Sequence, residues 1–303
     1  MDFYFVGLDM KHFDVIEQRR MPLKPNLLVP MNRMTPKVNA DLDDLKRRGL
    51  VGKLALDSGA FAIQKDKNAD AEKARKLYLR FMEYAKANAH KFDIIFNFDR
   101  VFTPDGFLEN YENLLGLLEE GIPAWPVSHD IVGKDYKDLI DMGYKKIAIG
   151  QDKGRNLKNL ITADIEMIIL GIEKVHLLGA ATPKFLYHIP ITSADASSAK
   201  RYAGFGRINF YNPDDATNFY GEYLKLPKRH TTEPTEDEFV TKKEILLKWL
   251  ATQNIKISWE DLTSREWSTF ATLVNIAFYI EAARRETEHH KEILRFLFTA
   301  YVE

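Results

Sequence analysis

Three carboxylates in this chain come directly after short apolar segments. Asp57 follows an apolar run that begins at residue 54, Asp99 follows one from residue 92, and Asp195 follows one from residue 189. Two neighbouring carboxylates can exchange a substituent at an acetal-like carbon such as C1′ of a sugar, one as nucleophile and the other as proton carrier, when they lie roughly 5 Å apart. A third carboxylate can accept hydrogen bonds from the N–H groups of a base. The rival use for three acids is a magnesium or calcium site.

The first of these acids also has a plainer interpretation. Asp57-Ser58-Gly59 is a typical turn sequence, in which the Asp and Ser side chains hydrogen-bond the neighbouring backbone. An acid at one strand exit is explained by turn chemistry alone. The recurrence of the arrangement at Asp99 and Asp195 favours a functional cluster.

The elements that must position these acids alternate along the chain. Apolar segments rich in β-branched and aromatic residues alternate with helical spacing about eight times over the first two hundred residues or so, which predicts an α/β fold of the (β/α)8 TIM-barrel type. The strands are apolar throughout, as parallel strands buried on both faces are. A doubly wound open sheet is the alternative, but no glycine-rich dinucleotide fingerprint follows the first strand.

We predict strands at 3–9, 26–31, 53–57, 92–99, 124–130, 146–151, 174–179 and 189–195, and helices at 41–48, 69–89, 105–121, 136–142 and 162–171. In a parallel barrel the ligand lies at the carboxyl ends of the strands. The three acids should therefore meet there with the other polar and small residues at strand exits: Ser128, His129, Gly150, Gln151 and Gly179.

The alternating pattern ends after Tyr211. Residues 225–238 are polar and contain Pro227 and Pro234, which is typical of a linker. Residues 239–251 and 265–301 have helical spacing. We therefore predict a catalytic barrel domain over 1–224, and a linker with a small helical appendage over 225–303.

Composition narrows the class of protein. The chain has 303 residues, a formal net charge of -1 and no cysteine. The charge gives no global field that attracts nucleic acid, so any such contact needs a local patch. The absence of cysteine excludes disulfides, thiolate catalysis and Cys-ligated zinc, and it fits the cytoplasm, the predicted location. We find no signal peptide and no apolar run of the roughly 18 residues that a membrane helix needs.

Five stretches in order resemble the tRNA-guanine transglycosylase family. Leu56-Asp57-Ser58-Gly59-Ala60-Phe61 resembles its Asp-Ser-Gly-Gly-Phe motif, and residues 94–99 look like its strand that ends in a base-recognising Asp. Residues 147–150 are similar to its Leu-Ala-Val-Gly, and residues 176–183 to its Leu-Met-Gly-Val-Gly-Thr-Pro. Ser193-Ala194-Asp195 falls where the family keeps its nucleophilic Asp.

The resemblance implies a (β/α)8 barrel that exchanges guanine in a polynucleotide for a 7-deazaguanine such as preQ0, with no cofactor and no metal. It implies that Asp195 attacks C1′ to form a covalent intermediate and that Asp57 is the general acid/base. Its base-binding residues would be Asp99, Ser58, Phe61, Ser128, Gly150, Leu178 and Gly179.

Several residues depart from the family pattern. Ser128 aligns with a Gln of the family, and His129 aligns with the glycine next to it. Lys145 and Lys146 replace paired glycines, and Gln151 replaces a Glu. The tRNA-acting members also carry a Cys/His zinc module, which a chain without cysteine cannot form. The resemblance therefore favours the shorter, phage-type branch that modifies DNA, in the host cytoplasm if the protein is phage-encoded.

The expected partners are DNA and a 7-deazaguanine base, with no membrane. The same exchange on tRNA, a non-catalytic nucleic-acid-binding paralogue and a homodimer stay open. Basic residues after the last predicted strand are candidates for contacts to the nucleic-acid backbone: Arg207, Lys225, Lys228 and Arg229.

Overall fold

A computed structural model describes residues 1–64, 71–101, 106–150, 155–179, 182–215, 217–227 and 236–302. The fold is mixed α/β, with a nearly closed, barrel-like parallel sheet surrounded by helices. The strands of the sheet are β1 (Asp2–Val6), β2 (Asn26–Pro30), β3 (Leu54–Asp57), β4 (Ile94–Phe96), β5 (Ala124–Trp125), β6 (Val127–Ser128), β7 (Lys146–Ile149), β8 (Lys174–Leu177) and β9 (Ser193–Ala196).

The two ends of the sheet are consecutive in the chain. The strand order is β5-β4-β3-β2-β1-β9-β8-β7-β6, and only Pro126 separates β5 from β6. Proline has no N–H group to donate, so the ladder is interrupted there. The carbonyl of Trp125 accepts the N–H of Asn97, and the carbonyl of Pro126 accepts that of Ala148. The junction thus bonds to the β4 side and the β7 side, which brings the ring near to closure.

Helices follow most of the strands. They are α1 (Met10–Gln18), α2 (Pro36–Arg47), α3 (Ala60–Gln64), α4 (Ala71–Asn88), α5 (Phe107–Glu119), α6 (Asp135–Asp141), α7 (Leu157–Ile169), α8 (Pro183–His188), α9 (Ser198–Gly204), α10 (Asp237–Thr252), α11 (Trp259–Thr263) and α12 (Trp267–Val302). An antiparallel pair, β10 (Arg207–Phe210) and β11 (Glu222–Lys225), lies outside the main sheet.

The strands bury both faces, which explains their continuous apolar sequences. On β1, Tyr4 belongs to an interior cluster, whereas Phe3 and Phe5 belong to the larger core shared with the helices. The interior cluster also contains Leu28, Ala55, Ile94, Phe96, Trp125, Val127 and Ala148. Each fully buried large apolar side chain contributes about 1.5–3 kcal/mol to folding.

Helix α12 packs directly against the strands and helices of the barrel. The ring of Tyr279 stacks on Phe3, with ring centroids 4.7 Å apart, and meets Phe5 edge-on. The buried Asn275 amide accepts the N–H of Asn209 and donates to the backbone carbonyls of Ala199 on α9 and Arg207 on β10. The helix therefore covers the outer face of β1. The predicted division at residue 225 stays a prediction.

Some element bounds differ from the predicted ones, for local reasons. Helix α2 begins at Pro36 rather than 41 because Thr35 caps it and proline suits its first turn. Helix α7 begins at Leu157 rather than 162, since the Asn156 side chain accepts the N–H of Asn159. Strand β9 begins at Ser193 rather than 189, because Ile189 still bonds back to α8.

Candidate active site

Asp195, on β9, has two nitrogen partners at one oxygen. The carboxylate is 4% exposed, and its Oδ1 accepts the Gly179 N–H at 2.9 Å. The same oxygen lies 3.2 Å from Nε2 of His176 on β8. Gly179 has a φ of +68°, in the left-handed region that favours glycine. The turn after β8 thereby aims a backbone N–H at the predicted nucleophile.

His176, on β8, is fully buried. Its Nδ1 lies 2.8 Å from Oγ of Ser193, the residue directly paired with it on β9. The rings of Tyr4 and Phe96 pack against the imidazole, with centroids 5.9 Å and 4.6 Å away. Residues on adjacent strands therefore form a hydrogen-bonded chain from Ser193 through His176 to Asp195.

Asp99 is bonded at both oxygens. Its Oδ1 accepts the Ser58 hydroxyl at 3.2 Å, and its Oδ2 lies 2.9 Å from Nε2 of His129. Asp99 is 6% exposed and His129 is 4% exposed. The side chains at the exits of β3, β4 and β6 thus converge, and the sequence had placed Asp99 and His129 among the strand-exit residues expected to meet.

Asp57, at the end of β3, has its pKa raised to about 7. Desolvation is the largest cause, the charge of Asp99 is the next, and Asp195 adds a smaller contribution. The Gly59 N–H, 3.0 Å from the carboxyl group, opposes the rise. All three acids are therefore close enough to interact. A carboxyl group with a pKa near neutrality can both donate and accept a proton.

The loop after Asp57 combines turn chemistry with the site. The Ser58 hydroxyl accepts the Ala60 N–H at 3.2 Å while it bonds to Asp99. Gly59 has a φ of +74°, and a Cβ there would lie 2.8 Å from the backbone nitrogen of Asn32. The turn interpretation of Asp-Ser-Gly is confirmed, and the same turn brings Ser58 to Asp99, while the functional interpretation stays a prediction.

The side chains of Ser128, the last residue of β6, and of His129, which follows it, contact different partners. The Ser128 hydroxyl bonds to Asp135 on α6, and Asp135 also accepts the His129 N–H at 2.9 Å. Burial is the main cause of the raised pKa of Asp135. The imidazole of His129, rather than Ser128, reaches Asp99. The base-binding role of Ser128 stays a prediction.

The sequence placed His129 among the strand-exit residues, but it did not predict the contact of the imidazole with Asp99. Val127 belongs to the interior cluster, so the residue two positions later belongs to the same face. A Cβ on Gly150 would lie 2.3 Å from Cε1 of His129, which makes glycine necessary beside the ring. Gly150 therefore contributes to the site by leaving room for His129.

Arg155 is a further residue that sequence reasoning missed. Its guanidinium donates to the carbonyl of Gly150 at 3.0 Å and to that of Leu178 at 2.6 Å. It thereby ties the exits of β7 and β8 together. Leu178 packs against the interior cluster. Phe61, on α3, leaves 40% of its surface exposed, which suits the predicted stacking on a base.

The predicted backbone-contact residues differ in their surroundings. The guanidinium of Arg207 lies over the rings of Tyr202 and Tyr223, 4.7 Å and 4.2 Å from their centroids. Lys225 is exposed on β11. Lys228, Arg229 and the strand-exit residue Gln151 lie outside the described residues.

Within the described residues, no group of three or more His, Cys, Asp or Glu side chains is placed to hold a metal ion. In the same part of the chain, no helix has the length and apolar character needed to cross a membrane. No known protein-family model matches this sequence, and no curated protein does.

Proposed function

We propose that this protein is a base-exchange glycosyltransferase that replaces guanine in DNA with a 7-deazaguanine such as preQ0. The convergence of Asp57, Asp99 and Asp195, with a pKa near 7 at Asp57, carries the proposal. The proposal includes a (β/α)8 TIM-type barrel in which β5 and β6 count as one strand interrupted at Pro126, and the nearly closed parallel sheet supports it. The ordered motifs of residues 56–195 supply the reaction class.

The exchange uses Asp195 and Asp57 in two half-reactions. Oδ2 of Asp195 bonds to C1′ as the bond from C1′ to guanine N9 breaks, and that electron pair leaves with the base. Asp57 gives its proton to the departing guanine. Asp57 then takes a proton from the incoming 7-deazaguanine, whose nitrogen attacks C1′ and releases Asp195. This retaining route suits a carboxylate pair of which one member titrates near neutrality.

Asp99 serves base recognition. An ionised carboxylate only accepts hydrogen bonds, and a guanine-like base presents N–H groups to it. His129 and Ser58 fix its two oxygens. Phe61 stacks on the base, while Leu178 and Gly179 shape the pocket.

DNA is the proposed polymer because the chain has no cysteine for a Cys/His zinc module. A duplex substrate requires base flipping, since a stacked base cannot reach a barrel pocket. The reaction takes place in the cytoplasm and uses no membrane partner.

The test is denaturing gel electrophoresis after incubation with guanine-containing DNA or with tRNA. We expect a covalent band with DNA that Asp195→Ala abolishes and the exposed control Asp138→Ala retains. Mass-tagged 7-deazaguanine should enter the same DNA. A band and incorporation with tRNA alone would replace DNA by tRNA in the proposal. Failure of the base to enter either polymer would overturn the exchange reaction and favour a non-catalytic binding protein.

A further inference from the structure

We propose that His176 is a positioning residue for Asp195. The proton on Nε2 of His176 holds Oδ1 of Asp195, so that Oδ2 of the same carboxylate is presented to the sugar. This inference rests on the proposed function of Asp195 as nucleophile. His176 itself does not contact the substrate and exchanges no proton with it.

For a neutral imidazole beside an ionised carboxylate, the hydrogen-bond chain allows one tautomer of His176. An ionised carboxylate can only accept, so Nε2, 3.2 Å from Oδ1 of Asp195, must carry the proton. In a neutral imidazole Nδ1 is then an acceptor. The Ser193 hydroxyl, 2.8 Å from Nδ1, must therefore donate to it. Ser193 thus selects the tautomer that can bond to Asp195.

The ring has little freedom to leave this geometry. His176 is 0% exposed, and the rings of Tyr4 and Phe96 pack on it. The strand register pairs His176 on β8 with Ser193 on β9. Asp195 lies two residues after Ser193 on β9. Burial, aromatic contacts and register therefore all constrain the imidazole.

The two donors divide the carboxylate into a held oxygen and a reacting oxygen. Among the described residues, the hydrogen bonds to Asp195 come from His176 and Gly179, and both reach Oδ1. In the proposal, Oδ2 is then the oxygen that bonds to C1′. Alignment of this kind matters, since a misplacement of about 1 Å can cost roughly 100-fold in rate.

The same motif occurs at Asp99, but for a different purpose. There Nε2 of His129 bonds one oxygen and the Ser58 hydroxyl bonds the other. Both oxygens are held, which suits a fixed acceptor for a base. Of these two acids, Asp195 is the one whose described donors share a single oxygen, which suits a nucleophile.

A matched pair of variants tests the role of each ring nitrogen. The amide nitrogen of His176→Gln occupies the place of Nε2 and keeps a donor for Asp195, whereas His176→Asn reaches only the place of Nδ1. We expect His176→Asn to slow covalent-band formation about 100-fold at saturating DNA with little change in KM. His176→Gln should stay within about tenfold of the wild-type rate.

A spectroscopic measurement tests the hydrogen bond between His176 and Asp195 independently of the proposed reaction. In histidine-labelled protein, nitrogen NMR should show His176 neutral and protonated at Nε2, and Asp195→Asn should shift that signal. Equal losses in the Gln and Asn variants, or a proton on Nδ1, would overturn the positioning role. Absence of any covalent band with the wild-type protein, alongside the expected NMR signal, would instead count against the exchange reaction alone.

Discussion

At the level of single residues, the three acids differ in their partners. Asp99 and Asp195 each bond to a buried imidazole, whereas the bonds of Asp57 in the described structure come from backbone N–H groups. Asp57 also carries the raised pKa, caused first by desolvation and then by the charge of Asp99. The surroundings thus raise the pKa of Asp57, the proposed proton carrier, towards neutrality.

The pKa of Asp57 predicts how the first half-reaction depends on pH. The carboxyl group is protonated below about pH 7 and can then protonate the leaving guanine. We expect the single-turnover rate of covalent-band formation to fall about tenfold per unit above pH 7. Asp57→Asn should be slow at every pH, without this slope. A wild-type rate that rises from pH 7 to 9 would contradict the assignment of Asp57 as the acid.

Asp164 offers a pH-dependent test of stability away from the site. It is fully buried on α7, and neither carboxyl oxygen has a partner among the described residues. Burial raises its pKa to about 8. Between about pH 4 and 8 the folded state therefore holds a proton that the unfolded chain has lost, so stability falls as the pH rises.

Replacement of Asp164 by Asn should remove this dependence. We expect Asp164→Asn to raise the free energy of unfolding at pH 8 by about 5 kcal/mol, with the gain shrinking towards pH 4. Urea denaturation at the two pH values measures it, with the exposed Asp138→Asn as control. An equal effect at both pH values would show that Asp164 does not titrate as described.

At the level of elements, short loops at strand ends bring the site together. The loop after β3 lies so close to the segment after β2 that a Cβ on Gly59 would clash with the Asn32 backbone. The loop after β8 presents the Gly179 N–H to Asp195. The parallel strands place these loops at one edge of the sheet, and each loop then supplies its polar groups.

Gly59 and Gly49 form a matched pair for this close approach. Both have a positive φ, but a Cβ on Gly49 would meet no described atom within 4 Å, so Gly49→Ala carries only the backbone strain. We expect Gly49→Ala to cost about 1 kcal/mol of stability and Gly59→Ala about 2–4 kcal/mol. Urea unfolding measures both. Gly59→Ala should also reduce covalent-band formation, and equal costs for the two variants would contradict the clash.

At the level of the whole molecule, α12 completes the layer outside β1. Its Tyr279 stacks on Phe3, and its Asn275 bonds to the backbone of β10. The residues around these contacts belong to the same core cluster as the strands. Helix α12 therefore contributes to the core of the barrel-like part rather than only to its surface.

A truncated chain tests this contribution. We expect residues 1–224 alone to lack cooperative thermal unfolding, because the outer faces of Phe3 and Phe5 lose their cover. Circular dichroism during heating measures it. The full-length variant Tyr279→Ala should unfold cooperatively but lose about 3–5 kcal/mol, as large aromatic truncations in cores do. A 1–224 fragment with a sharp transition would favour an independent barrel domain.

The strands and the three acids at their exits could be predicted from the sequence, because apolar runs and turn residues act locally. The helix starts at Pro36 and Leu157 were missed, although their caps are local signals. The roles of His129 and His176 depend on strand alternation and register, which the sequence pattern left unassigned.

Local sequence patterns were enough to establish the alternating elements, the positions of Asp57, Asp99 and Asp195, and the exclusion of cysteine chemistry. The pairing of His176 with Ser193 and Asp195, and the cover of β1 by α12, came from the folded structure. The physical reason is that periodicity and capping are properties of neighbouring residues. Hydrogen bonds between strands and packing across the core instead depend on which distant segments meet when the sheet forms.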